Sequence, residues 1–245
     1  MKKIIAVGDL HIPYQIDLKG FIKFLRDEKP DELILGGDIM DVVALSRWAL
    51  AGGKRLTLEG KRFQKECDAT NKILDEFREA VGKKCKIVYL EGNHENWCEQ
   101  YIDKNPGMEG LINIPKMLEL DKKKIEWVPY RSIKNHYKVG KLYFTHGEYT
   151  SKYHAAKMLS AWNCNIRYFH LHSHMVYTRT AKRGVGDFHK AVSIPCMCKE
   201  GDYLTGKSHN WENGFYIAHI KPNGNFYENI ISIIDNQFYY NGKLY

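Results

Sequence analysis

Five short clusters in this chain carry side chains that can hold metal ions: Asp9-Leu10-His11, Asp38-Ile39-Met40-Asp41, Asn93-His94-Glu95, His146-Gly147-Glu148 and His172-Ser173-His174. Carboxylates, an amide oxygen and neutral imidazoles together suit borderline cations such as manganese, iron or zinc better than calcium or magnesium. Two histidines separated by one residue can reach different ions from one loop, as a centre with two cations roughly 3.5 to 4 Å apart requires. Such a centre lowers the pKa of a shared water and neutralises charge around phosphorus, which is the chemistry of phosphate-ester hydrolysis. Any one cluster alone would more often be a capped turn. Their weight comes from recurring together.

All five follow apolar runs. Ile4 to Val7, Leu33 to Leu35 and Ile87 to Leu90 read as buried strands; Leu18 to Glu28 and Arg62 to Val81 read as helices, with Phe63, Cys67, Ile73, Leu74, Phe77 and Val81 at helical spacing. This βαβαβ pattern brings the carboxyl ends of neighbouring strands to one crevice, so Asp9, Asp38 and Asn93 are expected to converge. After a helical, loop-rich middle (Asn96 to Lys124) come closely spaced strands at Ile125 to Val128, Ile133 to Val139, Leu142 to Thr145, Ile166 to Leu171, Val176 to Ala181, Phe215 to Ile220 and Phe226 to Ile234. One helix, Lys152 to Trp162, interrupts them. Turn residues at Gly140-Lys141 and Pro222 to Asn225 make this half look largely antiparallel. The expected architecture is α/β (α+β): a four-layer sandwich of two mixed β-sheets packed face to face and flanked by helices, in a single domain spanning residues 1–245.

In order along the chain, the clusters resemble the signature of the calcineurin-like metallophosphoesterase superfamily: Asp-x-His, Gly-Asp-x-x-Asp, Gly-Asn-His-Asp/Glu, a histidine before glycine, and Gly-His-x-His. The resemblance covers residues 9 to 174, about two thirds of the chain. It implies that Asp9, His11 and His174 hold one metal, that Asn93, His146 and His172 hold the other, and that Asp38 bridges them. It also implies His94 as the general acid that protonates the leaving alkoxide after attack by a metal-bridging hydroxide, with Asp41 orienting it and keeping it charged. Asp41 reads equally well as an N-cap for a helix over 42–51. Two divalent ions are the expected cofactors, manganese first, with iron, zinc, nickel, cobalt or magnesium as alternatives.

Two departures qualify the match. Leu171 stands where the fifth motif has glycine, and His170 makes His170-Leu171-His172-Ser173-His174 readable in two frames. The later pair is preferred, because Ser173 suits the small middle position and Ile166 to Leu171 already makes a full strand. Val42 replaces the arginine that phosphoprotein phosphatases carry after the second aspartate, which removes a bidentate phosphate clamp. The expected function is therefore a phosphodiesterase acting on a nucleotide or nucleic acid, a nuclease-like hydrolase. The alternatives are a phosphomonoesterase using the same centre and an inactive binding module.

A net charge of +8 favours phosphate-bearing partners. Lys54, Arg55, Lys61, Arg62 and Lys65 beside the second motif, and Arg179, Lys182 and Arg183 after the fifth, could flank a phosphate backbone; as solvated faces they need no ligand. Trp48, Trp97 and Trp211 read as packing or as platforms for a base. The six cysteines match no zinc knuckle or redox motif and read as reduced structural thiols. The apolar run at Ile4 to Val7 is too short for a signal peptide and no segment reaches the roughly 20 apolar residues that span a bilayer, so a cytoplasmic location is expected.

Overall fold

The computed structural model describes residues 1–46, 61–130, 135–180, 188–201 and 209–245. Strand β1 (Lys2–Val7) leads through helix α1 (Lys19–Glu28) to β2 (Glu32–Leu35), and α2 (Phe63–Val81) leads to β3 (Lys86–Leu90). Helices α3 (Asn93–Lys104) and α4 (Ile114–Met117) precede β4 (Ile125–Val128). Then follow β5 (Tyr137–Val139), β6 (Leu142–Thr145), α5 (His154–Trp162), β7 (Asn165–Tyr168), β8 (Met175–Thr180), β9 (Phe188–Ser193), β10 (Gly214–Ile220), β11 (Phe226–Ser232), β12 (Tyr239–Tyr240) and β13 (Lys243–Leu244). Among the described residues no helix is long and apolar enough to cross a membrane.

The first sheet has the order β11-β10-β1-β2-β3-β4 and the second β5-β6-β7-β9-β8, while β12 and β13 form a small hairpin. Both large sheets are mixed, with β1 to β4 parallel and β10 antiparallel to β1. The second half is less antiparallel than its turn residues suggest, since β6, β7 and β9 run parallel. The reason is that α5 crosses between β6 and β7, a connection the spacing showed but whose handed return to the sheet a list of strands does not convey. Strand β9 was missed because only its last three residues are buried, so its sequence Phe188-His-Lys-Ala-Val-Ser lacks an apolar run.

Alternation along the strands builds the layers. Ile5 and Val7 face a core under α1 and α2 with Phe21, Phe24, Leu74 and Phe77, whereas Ile4 and Ala6 face the other way, toward Leu142, Phe144 and Phe169 between the two sheets. A third core, with Ala155, Met158, Leu159 and Ile166, lies between the second sheet and α5. Burial on both faces explains why β1 and β2 read as continuous apolar runs. The four-layer sandwich is thus observed.

One buried ionic cluster joins the sheets. Arg167 on β7 is fully buried; its Nε donates to Glu228 Oε2 on β11 at 2.7 Å and its Nη1 to the Lys190 carbonyl at 2.8 Å. Tyr216 on β10 donates to the same Glu228 oxygen at 2.8 Å, and Lys190 reaches the other at 2.9 Å. Burial pushes the Glu228 carboxyl up, but the Arg167 charge and the Lys190 and Tyr216 hydrogen bonds outweigh it and hold the group below its usual range. A depressed pKa contributes stability above the unfolded value of about 4.3 and loses it as pH falls toward the lower folded value. Glu228→Gln should therefore cost about 3–5 kcal/mol at neutral pH by leaving Arg167 buried without its carboxylate. Urea unfolding of both proteins below pH 4 should show that difference shrinking; a constant difference would locate the loss in packing.

Candidate metal centre

The crevice lies where β1, β2, β3, β6 and β7 end. Its backbone is tightly bent: Asp9, His11, Asp38, His170 and His172 all have φ between 48° and 78°, a region non-glycine residues seldom occupy. Five such residues in one place mark a site whose surroundings hold it against local preference. Close approach is equally constrained, since a Cβ at Gly37 (φ 87°) would lie 2.6 Å from His146 Nδ1 and 2.8 Å from the Gly92 backbone.

Glu95 fastens this frame. Its fully buried carboxylate accepts from the amides of Asp38 (2.9 Å), Ile39 (2.8 Å), Met40 (3.0 Å) and Gly92 (2.9 Å) and from the Tyr89 hydroxyl (2.7 Å). The loop after β2 and the start of α3 are thereby one unit, with Glu95 closing a capping box on Gly92. His94 N then donates to Asp38 Oδ1 at 2.9 Å, so the positive end of α3 faces the buried aspartate.

Asp38 is the focus. His146 Nε2 lies 3.3 Å, His94 Nε2 3.8 Å and His11 Nε2 4.0 Å from its Oδ2. His172 Nε2 lies 3.1 Å from His11 Nε2 and 3.8 Å from Asp9 Oδ1. The other ring nitrogens turn outward to fixed partners: His11 Nδ1 to the Asp41 carboxylate (3.2 Å), His146 Nδ1 to the Gly36 carbonyl (2.8 Å), His94 Nδ1 to the Asp41 carbonyl (2.7 Å) and His172 Nδ1 to Cys198 Sγ (3.8 Å). Outer partners of this kind set the tautomer and aim of metal-ligating imidazoles. One terminus of the Asn93 amide lies 2.9 Å from His146 Nε2, 2.7 Å from His170 Nδ1 and 3.3 Å from Asp38 Oδ2. In the absence of a cation the amide nitrogen can donate to Asp38 Oδ2 and His170 Nδ1, and the oxygen is the end that would face a cation.

Of the residues predicted from sequence, Asp9, His11, Asp38, Asn93, His94, His146 and His172 come together, and Asp41 borders them. His174 does not. It is exposed, with its backbone amide 3.3 Å from Glu212 Oε1, and His170 occupies the place beside Asn93 and His146. His172 correspondingly joins Asp9 and His11, not Asn93 and His146. The geometry thus brings the earlier pair to the crevice, because β7 ends at Tyr168 and the left-handed turns at His170 and His172 aim both rings inward. Asp41 lies beside both His11 and His94. The Asp41 carboxylate engages His11, and His94 is held by the Asp41 carbonyl, with the carboxylate 3.6 Å away. The short turn Val43–Leu45 has no side-chain cap, and the rest of the expected helix over 42–51 lies outside the described residues. Trp48, Lys54, Arg55, Lys182 and Arg183 lie outside the described residues. His154 is buried in a hydrogen bond to Tyr168 and is remote in role from the cluster.

Charges within the crevice compensate one another. Burial raises the Asp9 carboxyl to about 7, with Asp38 adding to it and His146 opposing. Burial also works against charge on His11 and His146, but Asp38, Asp9 and the hydrogen bonds to Asp41 or Asp38 prevail and raise both to about 9. His170 and His172 are pushed down by burial and by their charged neighbours, His170 to about 4. His94 is pushed down by burial, with His11 adding, against Asp38 and Asp41.

A model of the calcineurin-like phosphoesterases matches residues 2–210. The chain belongs to that family. This phosphoesterase is 23% identical over 266 residues to the gene 54 proteins of Mycobacterium phages L5 and D29, with all of this chain and 98% of each relative covered. It is similar to a Thermotoga maritima protein (9% identity, 95% of this chain and all of the other, TM-score 0.43). It is also similar to a Streptococcus pneumoniae protein described as a predicted phosphoesterase (14% identity, all of this chain and 95% of the other, TM-score 0.41). Membership implies hydrolysis of a phosphate ester at a centre for divalent metals, and the residues fit such a centre. Asp9 Oδ1 is buried without a hydrogen-bond partner at the edge of the imidazole cluster, and four groupings, Asp9–His11–Asp38, Asp38–His146–His170, His11–Asp41–His94 and His11–His172–Cys198, each bring donor atoms within 4.8 Å of one another. Among the described residues the phosphoesterase therefore has donors of the right type on both sides of Asp38.

Replacing Glu95 by Gln should test the frame before any catalysis is measured. An NH2 group cannot accept from two of the amides now bound, so urea unfolding of the cation-free protein should show a loss of about 2–6 kcal/mol. An unchanged midpoint would mean the loop after β2 is held by other contacts.

Proposed function

We propose that this phosphoesterase holds two divalent cations and hydrolyses a phosphodiester of a nucleotide or nucleic acid. The observation that carries the reading is the inward aim of four Nε2 atoms and two buried carboxylates at one point, with the outward nitrogens already occupied. Asp9, His11 and His172 would hold one cation, Asn93, His146 and His170 the other, and Asp38 would serve both. When bound, the cations supply an activated water and neutralise charge on the phosphoryl oxygens. Manganese is our first choice, since this nitrogen-rich and oxygen-rich set suits borderline ions.

His94 is free of the ligand set and faces the same crevice, which suits it to meet the leaving-group oxygen. Its Nδ1 is fixed by the Asp41 carbonyl, so Nδ1 carries a proton and Nε2 is the atom that exchanges one with the substrate. The backbone carbonyl thus orients the ring, while Asp41 positions His11 through its carboxylate.

Preference for a diester on nucleic acid is supported by the +8 charge and by a row of rings across the site. Trp97, His94, His11, His172 and Trp211 follow one another with centroid separations of 3.9, 4.4, 5.0 and 4.0 Å, so an indole flanks each end of the histidine cluster. Val42, buried where the resembling protein phosphatases carry arginine, supports the same preference.

Bis-p-nitrophenyl phosphate and p-nitrophenyl phosphate assayed side by side with manganese should favour the diester; faster turnover of the monoester would point to a phosphatase. His94→Ala should lower diester turnover by roughly 10²–10⁴-fold with cation content unchanged. His170→Ala should bind one equivalent fewer of manganese by elemental analysis, and His174→Ala should bind as much as the parent. The reverse pattern would restore the later histidine pair.

A further inference from the structure

The outward nitrogens of the histidine cluster have different partners. His11, His94 and His146 meet oxygen, a carboxylate or a carbonyl, at 2.7 to 3.2 Å. His172 meets sulfur, Cys198 Sγ at 3.8 Å, within a buried contact. Two roles are open to that thiol: ligand to a cation, or support for the imidazole.

Ring geometry decides between them. The two nitrogens of an imidazole point apart, and His172 Nε2 already faces His11 Nε2 at 3.1 Å and the unpartnered Asp9 Oδ1 at 3.8 Å. Cys198 Sγ has a donor atom of His11 and one of His172 within 4.8 Å, but it meets His172 at Nδ1, the nitrogen turned away from Asp9. Nε2 can ligate only when the ring proton resides on Nδ1, and that N–H needs an acceptor.

The sulfur is held in place by backbone on both sides. Met197 N donates to the Asp9 carbonyl at 3.2 Å, Ile16 N to the Met197 carbonyl at 3.0 Å and Lys199 N to the Tyr14 carbonyl at 2.9 Å, so the Cys198 segment is laced to the loop that carries Asp9 and His11. Asn213 Nδ2 donates to the Cys198 carbonyl at 2.9 Å, and Glu212 N to the His172 carbonyl at 2.8 Å. Cys198 is 3% exposed, so its thiol is shut off from water and meets the Cys196 side chain besides His172.

We infer that Cys198 is a positioning residue for His172: its sulfur receives the Nδ1 proton and so presents Nε2 to the cation shared with Asp9 and His11. This rests on the two-cation reading above. A thiol is a weak acceptor compared with the oxygens that serve His11, His94 and His146, so His172 is the more loosely held ring.

The test is zinc binding by the full-length protein, measured with a competing chelator. The parent should bind two equivalents. Cys198→Ala should weaken one of them roughly 10- to 100-fold and leave the other unchanged, the effect expected for loss of an outer partner. Cys198→Ser, which offers an oxygen acceptor, should recover most of the affinity. Circular dichroism and the thermal midpoint of each cation-free variant separate folding from binding, and in the zinc-loaded parent the 15N-histidine spectrum should show His172 protonated at Nδ1. Equal weakening by Ala and Ser would reveal a packing role and overturn the inference, as would unchanged zinc binding by Cys198→Ala. A parent that binds no zinc or only one equivalent would instead remove the two-cation reading itself, and this inference with it.

Discussion

The carboxylate of Glu95 is the constraint on which the crevice depends. Four backbone amides from two loops and one phenol converge on it in the interior, where an unpaired donor would cost about 1–3 kcal/mol each. Because three of those amides belong to Asp38, Ile39 and Met40, the turn that carries the central aspartate cannot relax independently of α3. Burial and the Asp38 charge push the Glu95 carboxyl up, while the Tyr89 and Met40 hydrogen bonds oppose that shift. The helix that begins at Asn93 therefore delivers its amide ligand candidate, its histidine and its positive end as a rigid set.

Packing between the sheets extends that rigidity to the second half of the chain. Phe169 is fully buried, and its ring lies so close to Gly36 that a Cβ there would come within 2.1 Å of it. The next residue, His170, donates its amide to Asp9 Oδ2 at 2.9 Å. A single aromatic side chain thus presses the end of β7 against the ends of β1 and β2, and the histidine beside it is placed by the same contact. Left-handed backbone at Asp9, His11, Asp38, His170 and His172 is tolerated because hydrogen bonds and packing on both sides leave these residues no relaxed alternative.

Much of this was readable from residues alone, and the failures are specific. Burial of β1 to β3 on both faces makes their apolar runs unmistakable, and glycine before Asp9, Asp38 and Asn93 marks three strand ends, so these residues and His11 could be placed without coordinates, as could His146 at the end of the apolar run Leu142 to Thr145. The histidine run was ambiguous because its frame depends on where β7 stops. Phe169 is apolar enough to continue a strand, yet it belongs to the turn. The signal that could have chosen the frame is the phenylalanine itself, since a large apolar residue just before the first ligand needs the two small glycines opposite. Glu95 appeared only as the last letter of a motif, and its five partners are backbone and phenol groups that no spacing reveals. Cys198 was set aside with the other thiols because it lies 26 residues from the histidine it touches.

The charge pattern explains how such a site is built before any cation arrives. Two buried carboxylates at one point resist burial and repel each other, and both effects push the Asp9 carboxyl up, to about 7. Asp38 nevertheless stays well below the usual carboxylate range, because His146 and His94 outweigh its burial. Protonated His11 and His146 provide the compensating positive charge from the positions that face the proposed cation sites. The same imidazoles can serve as ligands only after losing those protons, so protons and cations compete for one set of atoms. On the proposed two-cation reading, protons on His11 and His146 would stand beside Asp38 and Asp9 where cations otherwise bind.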